Sequence, residues 1–125
     1  MNNLDQFARQ QYLNLETFRK NGVGVKTPVW FVQDGETLYV STMANSGKVK
    51  RIRNNGEVKV AVCKMNGKVT GAWVQAQAHE VTDIEASTKV NHLLDRKYGL
   101  MKKLFENQRA QQGGKDTLLA IKLCE

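Results

Sequence analysis

The sequence predicts an α+β chain, mainly β, in which an antiparallel sheet curls into a barrel and the helices are short additions. Three observations carry that expectation. Short apolar runs, rich in Val, Trp and Phe, are separated by Asn-Gly and Asp-Gly turn dipeptides. The apolar period switches from two to roughly 3.6 at only two places. Between those places strand follows strand, without the regular strand–helix alternation of a doubly wound sheet.

The chain begins with a short helical lead-in. Tyr12 to Phe18 then alternates imperfectly between apolar and polar residues and reads as the first strand, closed by Asn21-Gly22. Val25 to Gln33 is expected as the second strand. It holds the only proline of the chain, Pro28, which lacks a donor for the ladder and so places this strand at an edge or a bulge. Asp34-Gly35 turns the chain into a third strand, Thr37 to Thr42, and the unit 12–42 reads as an antiparallel meander.

At Ser46 the pattern becomes helical, with Val49 and Ile52 on one face and basic residues around them. Ser46 has the chemistry of an N-cap, and Asn54-Asn55-Gly56 that of a stop. Val58 to Lys64 returns to strand, and Asn66-Gly67 leads into a long strand expected over 68–82. Asp83 caps a helix whose apolar positions are Ile84, Val90, Leu93, Leu94, Tyr98, Met101, Leu104 and Phe105, with Gly99 breaking or bending it. A polar loop, Gln111 to Lys115, precedes a last strand from Leu118 to Leu123.

With 125 residues, 41% hydrophobic and 25% charged, the chain is expected to form one domain over 1–125. No apolar run approaches the roughly 18 residues of a membrane span. The polar stretch Met1 to Arg9 is unlike a signal peptide, so a cytoplasmic location is expected. Cys63, Cys124, His79 and His92 have no metal-ligand spacing, and no metal is expected. Cys63 sits in an apolar run and reads as a core thiol.

The net charge of +7 is a hint of nucleic acid, an anionic membrane surface or an anionic small molecule as partner. Lys48, Lys50, Arg51 and Arg53 crowd into six residues, while aromatic residues are only 7% and do not interleave with them. That argues against a single-strand nucleic-acid surface, which stacks bases on aromatics beside its basic stripe. The stretch from Tyr39 to Arg51 reads instead as a phosphate cradle. A strand ends at Ser41-Thr42, and a helix begins at Ser46 with Gly47 and Lys48 in its first turn. Unpaired N–H groups and the positive dipole end attract an anion there, and Gly47 permits close backbone approach. Cations in a first turn are unfavourable unless an anion joins them. A solvated basic helix with an ordinary serine cap is the competing reading. The pattern is not a P-loop, and it has no acidic companions for magnesium.

This segment resembles the flavin-phosphate site of pyridoxamine 5'-phosphate oxidase and its relatives, in which a strand ends in Thr and a Ser four residues on is followed by Arg and Lys. Thr42, Ser46 and Lys48 fall on those places. Gly47 replaces the arginine, and Arg51 one turn later is the candidate to compensate. Within that group the chain is most similar to the small deazaflavin (factor 420)-dependent oxidoreductases, through Thr27-Pro-Val-Trp-Phe31, Ser46-Gly-Lys-Val-Lys-Arg51, and Arg96-Lys-Tyr-Gly99 with Lys103-Leu-Phe105.

The resemblance implies a six-stranded antiparallel split β-barrel with short flanking helices. It further implies a homodimer with cofactor sites between the subunits, and hydride transfer by a flavin. It places the ring along Thr27, Pro28 and Val29, with Trp30 and Trp73 either near the ring or packed structurally. FMN is the first expectation and the deazaflavin coenzyme the alternative. The balance of thirteen Lys to six Arg, with ten Asn, suggests an AT-rich coding sequence, which tips the choice toward FMN. No side-chain catalyst is assigned. A non-catalytic flavin-binding or flavin-sensing module and, more remotely, a nucleic-acid-binding domain using 48–53 are the alternatives.

Overall fold

The structure, a computed structural model, describes residues 3–99 and 116–124. A 3-10 turn, Asn3–Phe7, is followed by strands β1 (Tyr12–Phe18), β2 (Gly24–Trp30), β3 (Val32–Asp34) and β4 (Thr37–Met43). Helix α1 (Gly47–Asn54) leads to β5 (Glu57–Val62) and β6 (Val74–Glu80), then to α2 (Ile84–Tyr98) and β7 (Asp116–Leu123). All strand pairs are antiparallel, in the order β2-β1-β5-β6-β7-β4-β3.

That order forces a barrel. β2 and β3 form opposite edges of the seven-stranded sheet, yet a single residue, Phe31, joins them. One residue spans at most about 3.6 Å, so the two edges meet and the sheet curls into a split barrel. The expected strand 25–33 is therefore two strands, which accounts for seven where six were expected. The break falls at Phe31, not at Pro28, which stays in register opposite Asn14 on the terminal strand β2. The expected meander 12–42 is corrected in the same way. β1–β2 and β3–β4 are hairpins, but β4 pairs with β7 and not with β2.

Directly opposed residues share a face of the sheet. Leu13, Leu15, Leu38, Val40, Val58, Val60, Val74, Ala76, Leu119 and Ile121 thus point into the barrel, where Phe7 and Phe31 meet edge to face. Each fully buried leucine contributes about 1.5–3 kcal/mol relative to exposure. Val49 and Ile52 of α1 join this core and close one end of the barrel. α2 covers the outer face at β3, β4 and β7 with a stripe at i, i+4 and i+8: Val90, Leu94 and Tyr98 pack on Val32 and Leu118. Ile84 is 81% exposed, because six residues separate it from Val90 and carry it about 120° off that stripe. Met101, Leu104, Phe105 and the expected loop 111–115 lie outside the described residues.

The long strand expected over 68–82 shortens to β6. Asn66-Gly67 does turn the chain, with Gly67 at φ 90 and the Gly67 amide donating to the Lys64 carbonyl. Beyond it the only pairing before β6 is a bridge between Cys63 and Val69. Ala72 directs its amide to Gln6 Oε1, while Gln6 Nε2 donates to the Ala72 carbonyl, so a side chain replaces a neighbouring strand. Cys63 is buried and free, and burial raises its thiol pKa.

Candidate functional site

The basic segment becomes a structured cradle at the start of α1. The chain leaves β4 at Met43 and turns, the Ser46 amide donating to the Met43 carbonyl at 3.1 Å. Ser46 is the N-cap by position: its backbone is extended (φ −71, ψ 159) and its carbonyl accepts from Lys50 N. Its hydroxyl makes no capping bond, contrary to the expected cap. Ser46 Oγ is instead buried without a hydrogen-bond partner, which is uncommon for a buried hydroxyl. The first turn holds Gly47 and the half-buried Lys48, with no acidic residue to balance the helix dipole.

Arg51 completes the cradle from one turn on. Its Nε donates to Thr17 Oγ1 at 2.6 Å, which swings the guanidinium across Gly47. A β-carbon on Gly47 would lie 2.7 Å from Arg51 Nη1. Burial, and secondarily the charge of Arg19, lower the Arg51 pKa, so two guanidinium groups concentrate positive potential at this end of the barrel. The other end of α1 is tied to β6: Arg53 Nη2 donates to Glu80 Oε2 at 3.1 Å, and Thr117 Oγ1 donates to the same carboxylate at 3.1 Å.

Thr42, 4% exposed, faces Thr117 across the β4–β7 ladder, while half-buried Ser41 faces Leu118 on the other side of the sheet. On β2, Thr27 opposes Leu15 and Val29 opposes Leu13. Both lie on the sheet face that carries Thr17, the residue gripping Arg51, so the cradle and the β2 wall share a face. Pro28 lies on the opposite face with Asn14. Asn14 spends its Nδ2 on the Gly67 carbonyl at 3.0 Å and leaves Oδ1 buried and unpartnered. Of the two buried side-chain polar atoms without partners among the described residues, Ser46 Oγ lies in the stretch 39–51 and Asn14 Oδ1 on the strand that pairs with Pro28.

The tryptophans have other partners. Trp30 stacks on Tyr98 at 4.4 Å between centroids and 10° between planes, while Trp73 carries Lys26 Nζ 5.3 Å from its ring centroid. His79 and His92 are exposed. The structure therefore gathers Ser46, Gly47 and Arg51 and adds Thr17 and Arg19, which sequence reasoning missed. Arg51 and Thr17 are 34 residues apart, and no local spacing announces such a contact. A separate cleft of about 330 Å³, lined by Phe18, Asn55, Glu57, Lys59, Gln75 and Gln77 among others, contains none of the expected site residues.

A curled antiparallel sheet whose two edges meet, with a basic helix start at its rim, defines a split barrel. The family comparison agrees with that class. The family model described as Pyridoxamine 5'-phosphate oxidase matches residues 2–123, and the chain belongs to this family. No curated protein sequence matches the chain.

Solved structures share the fold. The heme-storage protein HutZ of Vibrio cholerae has a TM-score of 0.74 at 15% identity, with 97% of this chain and 87% of that one covered. A FAD-binding protein of Mesorhizobium loti has a TM-score of 0.66 at 15% identity, covering 97% and 84%. A factor 420 reductase has a TM-score of 0.61 at 16% identity, covering 97% and 92%. Among the described residues no helix is long and apolar enough to cross a membrane.

Proposed function

We propose that this chain is a flavin-binding oxidoreductase that works as a homodimer and holds FMN, or alternatively the deazaflavin coenzyme, in grooves between its subunits. The observation that carries the reading is the buried, unpartnered Ser46 hydroxyl at a helix start that holds Gly47, Lys48 and Arg51 and no acid. The donor set suits a phosphate monoester: one hydroxyl, the amides of the first turn, an ammonium and a guanidinium.

In this reading Ser46 and the α1 amides fix the phosphate oxygens, Lys48 and Arg51 balance their charge, and Thr42 lies beneath, with Ser41 next to it on the opposite face of β4. Thr27, Pro28 and Val29 form the wall beside the ring, with Trp30 and Trp73 supporting that wall. When bound, the flavin supplies the chemistry, a hydride accepted or given at its central ring. The chain contributes anchorage, orientation and shelter from water. Family membership supports flavin binding.

A side-by-side fluorescence titration with FMN and the deazaflavin coenzyme tests the reading. Tight binding of either supports the cradle and selects the cofactor, and binding of neither overturns it. A storage or sensing module is the second reading. The residues gathered at the cradle, Thr17, Arg19, Ser46 and Arg51, include no histidine, carboxylate or thiol to act as a general acid or base. Turnover of the bound flavin with NAD(P)H and an acceptor separates the two.

A further inference from the structure

The bend that closes the barrel is held by a device that the cofactor reading leaves unexplained. At Phe31 the chain passes from one sheet edge to the other, so neither its amide nor its carbonyl has a ladder partner. Buried backbone groups of this kind cannot stay unpaired without cost. The end of α2 supplies all that is missing. The Phe31 amide donates to Tyr98 Oη at 3.0 Å, and Lys97 Nζ donates to the Phe31 carbonyl at 2.7 Å. Tyr98 Oη lies 2.8 Å from that carbonyl and 2.7 Å from the Gln11 carbonyl. Its single proton serves one acceptor at a time. Because Lys97 already satisfies Phe31, the Tyr98 proton is free for Gln11, which stands just before β1.

One phenol thus ties the entry to β1, the β2–β3 bend and the end of α2. The same ring stacks on Trp30, and the Lys97 amine sits 3.9 Å from the centroid of the Phe31 ring. Gly99, at φ 54, ends the helix there, with its amide on the Asp95 carbonyl. Tyr98 is 8% exposed, so its bonds to Phe31 are buried, while the Lys97 and Gln11 bonds beside them are partly so.

We propose that Lys97 and Tyr98 are positioning residues for the cofactor, latching the β2–β3 bend and thereby setting the Thr27–Trp30 wall at its working distance from the α1 cradle. The inference rests on the flavin reading above. The side chains touch no cofactor; they act through the backbone of Phe31 and the ring of Trp30. A wall displaced by a fraction of an ångström at its hinge meets the ring badly, while the phosphate cradle, on different elements, stays intact.

The test measures FMN affinity, the visible circular dichroism of bound FMN and hydrogen exchange at the Phe31 amide in three variants. Tyr98→Phe keeps the stacked ring and loses both hydroxyl bonds. Lys97→Gln, at an exposed position, is the milder variant and decides the matter if Tyr98→Phe does not fold. Lys97→Arg restores a donor to the Phe31 carbonyl. The expected result is Phe31 exchange faster by about tenfold or more in Tyr98→Phe. FMN affinity should fall about tenfold, with an altered flavin dichroism band. Lys97→Gln should move the same way by a smaller factor, and Lys97→Arg should recover most of it. Affinity and dichroism unchanged in both loss variants, with wild type binding normally, overturn the positioning role alone. A wild type that binds no flavin overturns the flavin reading and this proposal with it.

Discussion

The guanidinium of Arg51 occupies the space into which a β-carbon on Gly47 would project, with Nη1 2.7 Å from that position. Gly47 is therefore less a gap in the proposed phosphate site than the opening through which a residue one turn later reaches it. Gly47→Ala should separate stability from binding. A helix generally prefers Ala to Gly by up to about 1 kcal/mol, and the clash is with the far end of a flexible side chain. The melting temperature should hold or rise slightly, while FMN affinity falls about three- to tenfold as Arg51 is displaced. A parallel thermal melt and FMN titration check this, and equal affinity would show that Arg51 does not need its present place.

Ser46→Ala follows from the same corner. An ordinary N-cap serine replaced by alanine costs roughly 1 kcal/mol. Here the hydroxyl makes no cap bond and is buried without a partner, so its removal should leave stability unchanged or slightly improved. Affinity for a phosphate-bearing flavin should fall about fivefold, and affinity for riboflavin, which lacks the phosphate, should not change. Loss of stability in the apo-protein would restore Ser46 to the role of a simple cap.

Much of this was legible before the structure, for identifiable reasons. The turns at Asn21-Gly22, Asp34-Gly35 and Asn66-Gly67 are local chemistry, and each glycine does take a positive φ. Asp83 caps α2 through its own side chain, a bond to Glu85 N two residues away. What failed was non-local. Phe31 breaks a strand because Lys97 and Tyr98, 66 and 67 residues on, take its backbone groups. Ala72 leaves its strand because Gln6 reaches across 66 residues. Arg51 lies across Gly47 because Thr17 holds it there, and the Arg96–Gly99 stretch stands out in the sequence without its contact to Phe31 being visible.

The Arg53–Glu80 pair should be read by acid. Its hydrogen bond with Arg53 is the largest cause holding the Glu80 carboxyl below the ordinary value of 4.5, with Thr117 adding to it and partial burial opposing. A depressed folded value means the contribution is complete above about pH 4.5 and is lost as pH falls through the folded value. Glu80→Gln should therefore be less stable than wild type at pH 7, with the gap closing as pH drops below 4.5. Arg53 is largely exposed and Glu80 partly so, which keeps the gap small and lets salt narrow it. Denaturant midpoints between pH 3 and 7 measure it, and a constant gap would show that the carboxylate charge contributes nothing.

Lys97 gives the opposite pH signature. Burial of its amine end against Phe31 holds the ammonium at about 8 in the folded chain, against 10.5 when unfolded, although the residue as a whole is exposed. With the folded value the lower one, the cost of keeping that charge is fully carried below pH 8. Between about pH 8 and 10.5 the folded chain releases a proton that the unfolded chain keeps, and stability rises across that window. Wild type should thus gain on Lys97→Met as pH is raised from 7.5 to 10, by an amount that solvent screening keeps modest. The Tyr98 phenol, 5.3 Å from the amine at its ring centre, does not share the window, because burial pushes its ionisation further up. Parallel denaturation profiles of the two proteins over that range would mean that the Lys97 amine titrates as it does in water and that its grip on the Phe31 carbonyl is loose.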